Sequence, residues 1–145
     1  MTLSLDDLQQ LTTITGDSSF QNQYDNWGGY GTYTGVTISE LVELVGGMTP
    51  NDTVNITSFD GYSQEFGYAN VYPNATWADI QGSMILAYSY NGTSVLEWDD
   101  GMRLVMLPPD EAYSNDDAMH TSSISVISAG SRWVRFVSII EVISG

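Results

Sequence analysis

The spacing of apolar positions changes along this chain, and the change predicts its elements. Ser4 to Leu11 places Leu5, Leu8 and Leu11 on one helical face, with Ser4 as N-cap and Asp7 three residues later. A second helix is predicted from Thr37-Ile38-Ser39-Glu40, a capping box whose hydroxyl and carboxylate satisfy each other's end amides. Leu41, Val42, Leu44 and Val45 supply its buried stripe, and Gly46-Gly47 its stop. Between the two helices runs an aromatic, glycine-rich segment from Phe20 to Tyr33. From Thr53 the period falls towards two. Thr53 to Phe59, the Asp60-Gly61 turn and Tyr62 to Tyr68 read as a hairpin. Thr76 to Ile80 reads as a helical turn. Ser83 to Tyr90 is an apolar strand ended by Asn91-Gly92, and Met102 to Leu107 a short buried strand stopped by Pro108-Pro109. Ile124 to Ile127 and Trp133 to Ile143 are the closing strands. With no repeat, heptad or linker, residues 1–145 are expected to form a single α+β domain in which strands dominate.

Charge narrows the partners. A net charge of −15 leaves no basic face to release counterions, so nucleic acid and anionic membranes are poor partners. The chain has no run of eighteen apolar residues and no basic, apolar leader at its start, so membrane insertion is not expected. Asn-x-Thr sequons begin at Asn51, Asn55, Asn74 and Asn91 in a lysine-free, Thr/Ser/Asn-rich context, which suits an extracellular or cell-surface domain of a longer exported protein. Cysteine is absent, which removes disulfides, thiolate metal ligands and thiol nucleophiles.

Candidate chemistry is sparse. Asp110-Glu111 and Asn115-Asp116-Asp117 put five oxygen-bearing side chains after Pro108-Pro109; the spacing is not that of an EF-hand, and a solvated acidic loop is the expectation. His120, the sole imidazole, has no nucleophile elbow to serve. Tyr24, Trp27, Tyr30 and Tyr33 could stack on a flat ring or cover the edge of the core. The only basic side chains are Arg103, Arg132 and Arg135, each a cation held within a strongly negative molecule. Arg103, between Met102 and Leu104, is expected to be a buried partner of a carboxylate. A strand beginning at Arg132 would turn Arg132, Val134 and Phe136 to one face and Trp133 and Arg135 to the other.

In order, Leu3-Ser4-Leu5-Asp6-Asp7-Leu8, Tyr33-Thr34-Gly35-Val36, Asp60-Gly61-Tyr62-Ser63, Ile85-Leu86-Ala87-Tyr88, Asn91-Gly92, Gly101-Met102-Arg103-Leu104-Val105 and Gly130-x-Arg132-x-Val134-Arg135-Phe136 span about Leu3 to Val142. The set resembles the molybdopterin-binding domain of the sulfite oxidase family, with Arg135 for that family's lysine and Phe136 for its tryptophan. The resemblance implies the sulfite oxidase middle-domain fold, with strand-dominated mixed sheets and a few short helices. It also gives Tyr62 the place of the catalytic tyrosine, Arg132 that of an anion-contacting arginine and Arg135 that of a cofactor-contacting lysine.

In that family a protein cysteine anchors the metal. Here its place falls near Gly16 to Phe20, where Asp17, Ser18 and Ser19 offer only oxygen, and the expected metal ligands are none. Leu107-Pro108-Pro109-Asp110 replaces the family's V-P-G turn. The expected function is a non-catalytic exported domain that binds a small anion, a glycan or a protein partner at a remnant pocket lined by Tyr62, Arg132, Arg135 and Trp27. The alternatives are a molybdopterin-dependent oxidoreductase with a non-cysteine metal ligand, and a structural cell-surface module.

Overall fold

A computed structural model describes residues 1–122 and 125–145. In chain order the elements are α1 (Leu5–Gln9), β1 (Ile14–Gln21), β2 (Trp27–Thr37), α2 (Ile38–Glu43), β3 (Thr53–Ser58), β4 (Ser63–Gly67), α3 (Tyr68–Val71), α4 (Ala75–Gln81), β5 (Ser83–Tyr90), β6 (Thr93–Ser94), β7 (Arg103–Leu107), α5 (Asn115–His120), α6 (Ala129–Arg132) and β8 (Val137–Ile143). The strand-dominated α+β class expected from the sequence is the class observed.

The strands form two sheets. In the larger, β1 pairs β2, β2 pairs β5, and β5 takes both β7 and the short β6, the latter beyond β7 along the same strand. The smaller has the order β4-β3-β8. These strand pairs are antiparallel, and a parallel bridge joins Phe20 to Tyr113. β5 is central, and Met84 to Ser89 are all buried, which explains its unbroken apolar run. β3 instead alternates, with Val54, Ile56 and Ser58 inward, as a strand covered on one face must.

Local chemistry fixes the ends. Ser4 and Asp7 form the expected capping box of α1. In α2 the Thr37 hydroxyl accepts from the Glu40 amide, but the Glu40 carboxylate reaches the Thr12 amide instead, so the predicted box is only half built. Leu44 and Val45, expected to be buried, are exposed because the helix ends at Glu43 and Gly46 and Gly47 turn the chain away at φ 106° and 81°. The hairpin of residues 14–37, read in the sequence only as an aromatic segment, turns on Asn22, whose side-chain oxygen accepts from the Tyr24 and Asn26 amides. The strand expected over Ile124 to Ile127 begins at a residue outside the described ones, and residues 125–127 form none.

The two sheets are joined where the chain enters β7 and β8. The Leu104 amide donates to Val134 O (2.9 Å), the Val137 amide to Met102 O (2.9 Å) and the Phe136 amide to Asp100 O (3.4 Å). These bonds bring Asp100 and Arg103 beside Arg135.

Gly82 closes α4 at φ 69° and ψ −156°, a conformation open to glycine alone, and a Cβ there would stand 1.7 Å from the Leu107 carbonyl oxygen. Gly82→Ala is expected to destabilise the domain by about 2–4 kcal/mol, read as a lower denaturant midpoint at unchanged slope. A midpoint within error of the parent would contradict this packing.

Candidate functional site

Between the loop ends of the larger sheet, the β3–β4 turn and the segment from Ser128 to Arg135 lies a cavity of about 780 Å³. Its charged lining is two guanidiniums, Arg103 and Arg135, and one carboxylate, Asp100. Arg103 opens β7 and is 8% exposed. Its Nε donates to Trp133 O at 3.3 Å, its Cζ lies 4.9 Å from the Phe20 ring centre and 5.6 Å from that of Trp133, and its Nη1 lies 3.6 Å from Asp100 Oδ2. Arg135 is more exposed, with Nη1 3.4 Å from Asp100 Oδ1. The carboxylate partner expected for Arg103 is therefore Asp100, but Arg103 is also a wall of the cavity, which its apolar neighbours in sequence concealed.

Burial pushes the Arg103 guanidinium below its usual range; the nearby Asp100 carboxylate opposes the shift and the like charge of Arg135 adds to it. Two converging cations repel, and the anion between them relieves that repulsion. Aromatic rings complete the walls. Tyr33 packs 4.9 Å from Tyr90, and Tyr90 stacks on Trp98 at 5.8 Å with 21° between planes. Trp98 can lie where it does because Gly101 carries no Cβ, which would meet the indole at 2.5 Å.

Tyr62 reaches the cavity from the β3–β4 turn. Its hydroxyl donates to Ser131 O at 2.6 Å and accepts from Gln64 Nε2 at 3.0 Å, so its proton is committed to a backbone carbonyl. Arg132 does not line the cavity. It is 1% exposed at the end of α6, with Nη1 donating to Gln64 Oε1 at 3.0 Å and Glu65 O at 2.8 Å and its Cζ 3.9 Å above the Phe66 ring. The strand expected to begin there is a helix, capped by the Ser128 hydroxyl on the Ser131 amide, so the predicted alternation of faces from Arg132 to Phe136 does not hold.

The other candidates scatter. Trp27 and Tyr30 are exposed on β2 and do not line the cavity, Tyr24 stands at its rim, and Tyr33, 1% exposed, backs the cavity wall from the core. The acidic loop becomes α5: Ser114 and Asp117 cap it, and Asn115 clamps the 22–25 turn and α6 by bonds to Asn22 O, Asp25 Oδ1 and the Ala129 amide. His120 is exposed in its last turn. Among the described residues no three Asp, Glu or His side chains converge to hold a metal ion.

The place of the family's metal-anchoring cysteine can be tested directly. Ser18 and Ser19 are buried, their hydroxyls donating to Met106 O at 2.6 Å and Glu111 O at 2.9 Å. Asp17 is exposed and accepts from the Thr32 hydroxyl. None of the three lines the cavity. The residues present do not fit a molybdenum cofactor anchored from this segment: it offers no sulfur, and none of its oxygen-bearing side chains lines the cavity.

Removing the Arg132 guanidinium would leave the Glu65 carbonyl and Gln64 amide without their donor. Arg132→Met is expected to cost about 2–4 kcal/mol in chemical denaturation, and Arg135→Gln less than about 1 kcal/mol, since its pairing is exposed. Equal losses from the two would contradict the assignment.

No family model matches this chain, and no curated protein matches it by sequence. Among solved structures it is similar to the sulfane dehydrogenase SoxCD from Paracoccus pantotrophus, at a TM-score of 0.65 and 14% identity over 97% of this chain and 34% of that one. The chain thus spans about a third of the length of that protein. The likeness is one of fold, and it supports the sulfite oxidase-like α+β architecture that the sequence motifs implied.

Proposed function

We propose that this chain is a non-catalytic ligand-binding domain on a sulfite oxidase-like fold, carried by an exported protein, and that it takes up a small anion in the cavity beside Arg103 and Arg135. One observation carries the reading: in a chain of net charge −15 with three basic residues, two of them face the same aromatic-walled cavity. A guanidinium stripped of water is costly unless something repays it, and a bound anion does so more fully than bulk solvent. The bound hydroxyl of Tyr62 and the placement of residues 17–19 outside the cavity weigh against oxygen-atom transfer here. They do not weigh against binding.

Export rests on the sequons. Asn51, Asn74 and Asn91 are exposed, while Asn55 lies half-buried within β3.

Binding to the native state raises the melting temperature by mass action, with about 2.7 kcal/mol of added stability at a hundredfold excess over Kd. Titration with sulfate, acetate and glucuronate, with neutral glucose as control, is expected to raise the melting temperature for at least one anion. The effect should be lost in Arg135→Gln. Identical melting with every solute, or an undiminished rise in the variant, would refute the proposal.

A further inference from the structure

Resting on the anion-binding reading above, we infer that Asp100 is a built-in competitor of the ligand, and that the ligand is a small ring-bearing carboxylate whose own carboxylate replaces that of Asp100 between Arg103 and Arg135. The two ends of the Asp100 carboxylate already address the two guanidiniums, one oxygen to each. That arrangement is a carboxylate template.

The fit is loose. At 3.6 and 3.4 Å, both contacts are longer than the roughly 2.7–2.9 Å of a well-formed charge-assisted hydrogen bond. Asp100 is held back by its own main chain, whose carbonyl accepts from the Phe136 amide at 3.4 Å. A free carboxylate has no such tether and can approach both cations at the better distance.

Size and walls select the rest of the ligand. A cavity of about 780 Å³ is far larger than an inorganic ion needs and lies in the range of sites for small organic molecules. The partly exposed Tyr90 and Trp98 rings, backed by the buried Tyr33, form an aromatic wall on which a flat or sugar ring can stack. Polyanions are disfavoured, because beyond the two arginines the molecule is strongly negative, with Asp60 close enough to Arg135 to feel its charge. A singly charged ring acid satisfies all three conditions, whether its ring is aromatic or a sugar.

The test compares Asp100→Asn with Asp99→Asn, which removes the same charge one residue away from an exposed position outside the ion pairs. Calorimetric titrations of both variants and the parent use benzoate, glucuronate and acetate. Asp100→Asn is expected to bind the ring acids about twofold to fivefold more tightly than the parent, the range an ion pair of this exposure can withhold, while Asp99→Asn stays at the parent value. Near-ultraviolet circular dichroism of each unliganded variant checks that the core is intact. Benzoate and glucuronate distinguish an aromatic from a sugar ring, and equal binding of acetate would remove the ring from the inference. If the parent binds and Asp100→Asn binds no better than Asp99→Asn, the competitor role falls while anion binding stands. If no protein binds any of the acids, both fall.

Discussion

The site depends on a short run of backbone hydrogen bonds between residues 100–104 and 134–137. The Leu104 amide to Val134, the Val137 amide to Met102 and the Phe136 amide to Asp100 fasten the start of β7 to the start of β8, and so fasten the larger sheet to the smaller. Arg135 lies between two residues thus tied and Arg103 between two more, so the fold forces like charges together. Phe136 sits at φ 51°, unusual for a bulky residue, where the chain turns into β8. Main-chain geometry sets the cations in place, and electrostatics must then be satisfied around them.

The three arginines meet that demand differently. Arg132 is held internally through Nη1, by Gln64 and the Glu65 carbonyl, and over the Phe66 ring, and it serves the structure, although its buried Nε has no hydrogen-bond partner among the described residues. Arg103 is buried as well, but apart from one carbonyl and two aromatic faces its partner is the half-exposed Asp100. Arg135 shares that same carboxylate from the solvent side. One anion serving two cations at long range is an incomplete arrangement, and a cavity gives access to it.

Much of the fold was legible because its signals were local. The Ser4 and Asp7 box, the Asp60-Gly61 turn and the unbroken apolar run from Ser83 to Tyr90 each produce the expected element. The β1–β2 hairpin was not, because Gly, Thr and Ser dominate it and its burial alternates only in part. Ser114-x-x-Asp117 carried a capping signal for α5 within a stretch that read as a charged loop. The site was less legible still. Arg103 lies between Met102 and Leu104 and Arg132 between Ser131 and Trp133, and which of them faces the cavity is decided by helix α6 replacing the expected strand and by contacts to residues 64–66. No local pattern encodes those contacts. Tyr62 and Arg135 come to the cavity, while Trp27 lies outside it.

Because the chain has three arginines and no lysine, its guanidinium Nε–H resonances can be followed individually by NMR during titration with a ring-bearing carboxylate. The account predicts that the Arg103 and Arg135 signals shift together and saturably while the Arg132 signal stays fixed. Movement of Arg132 with Arg103 and Arg135 unmoved would place the ligand elsewhere and contradict it.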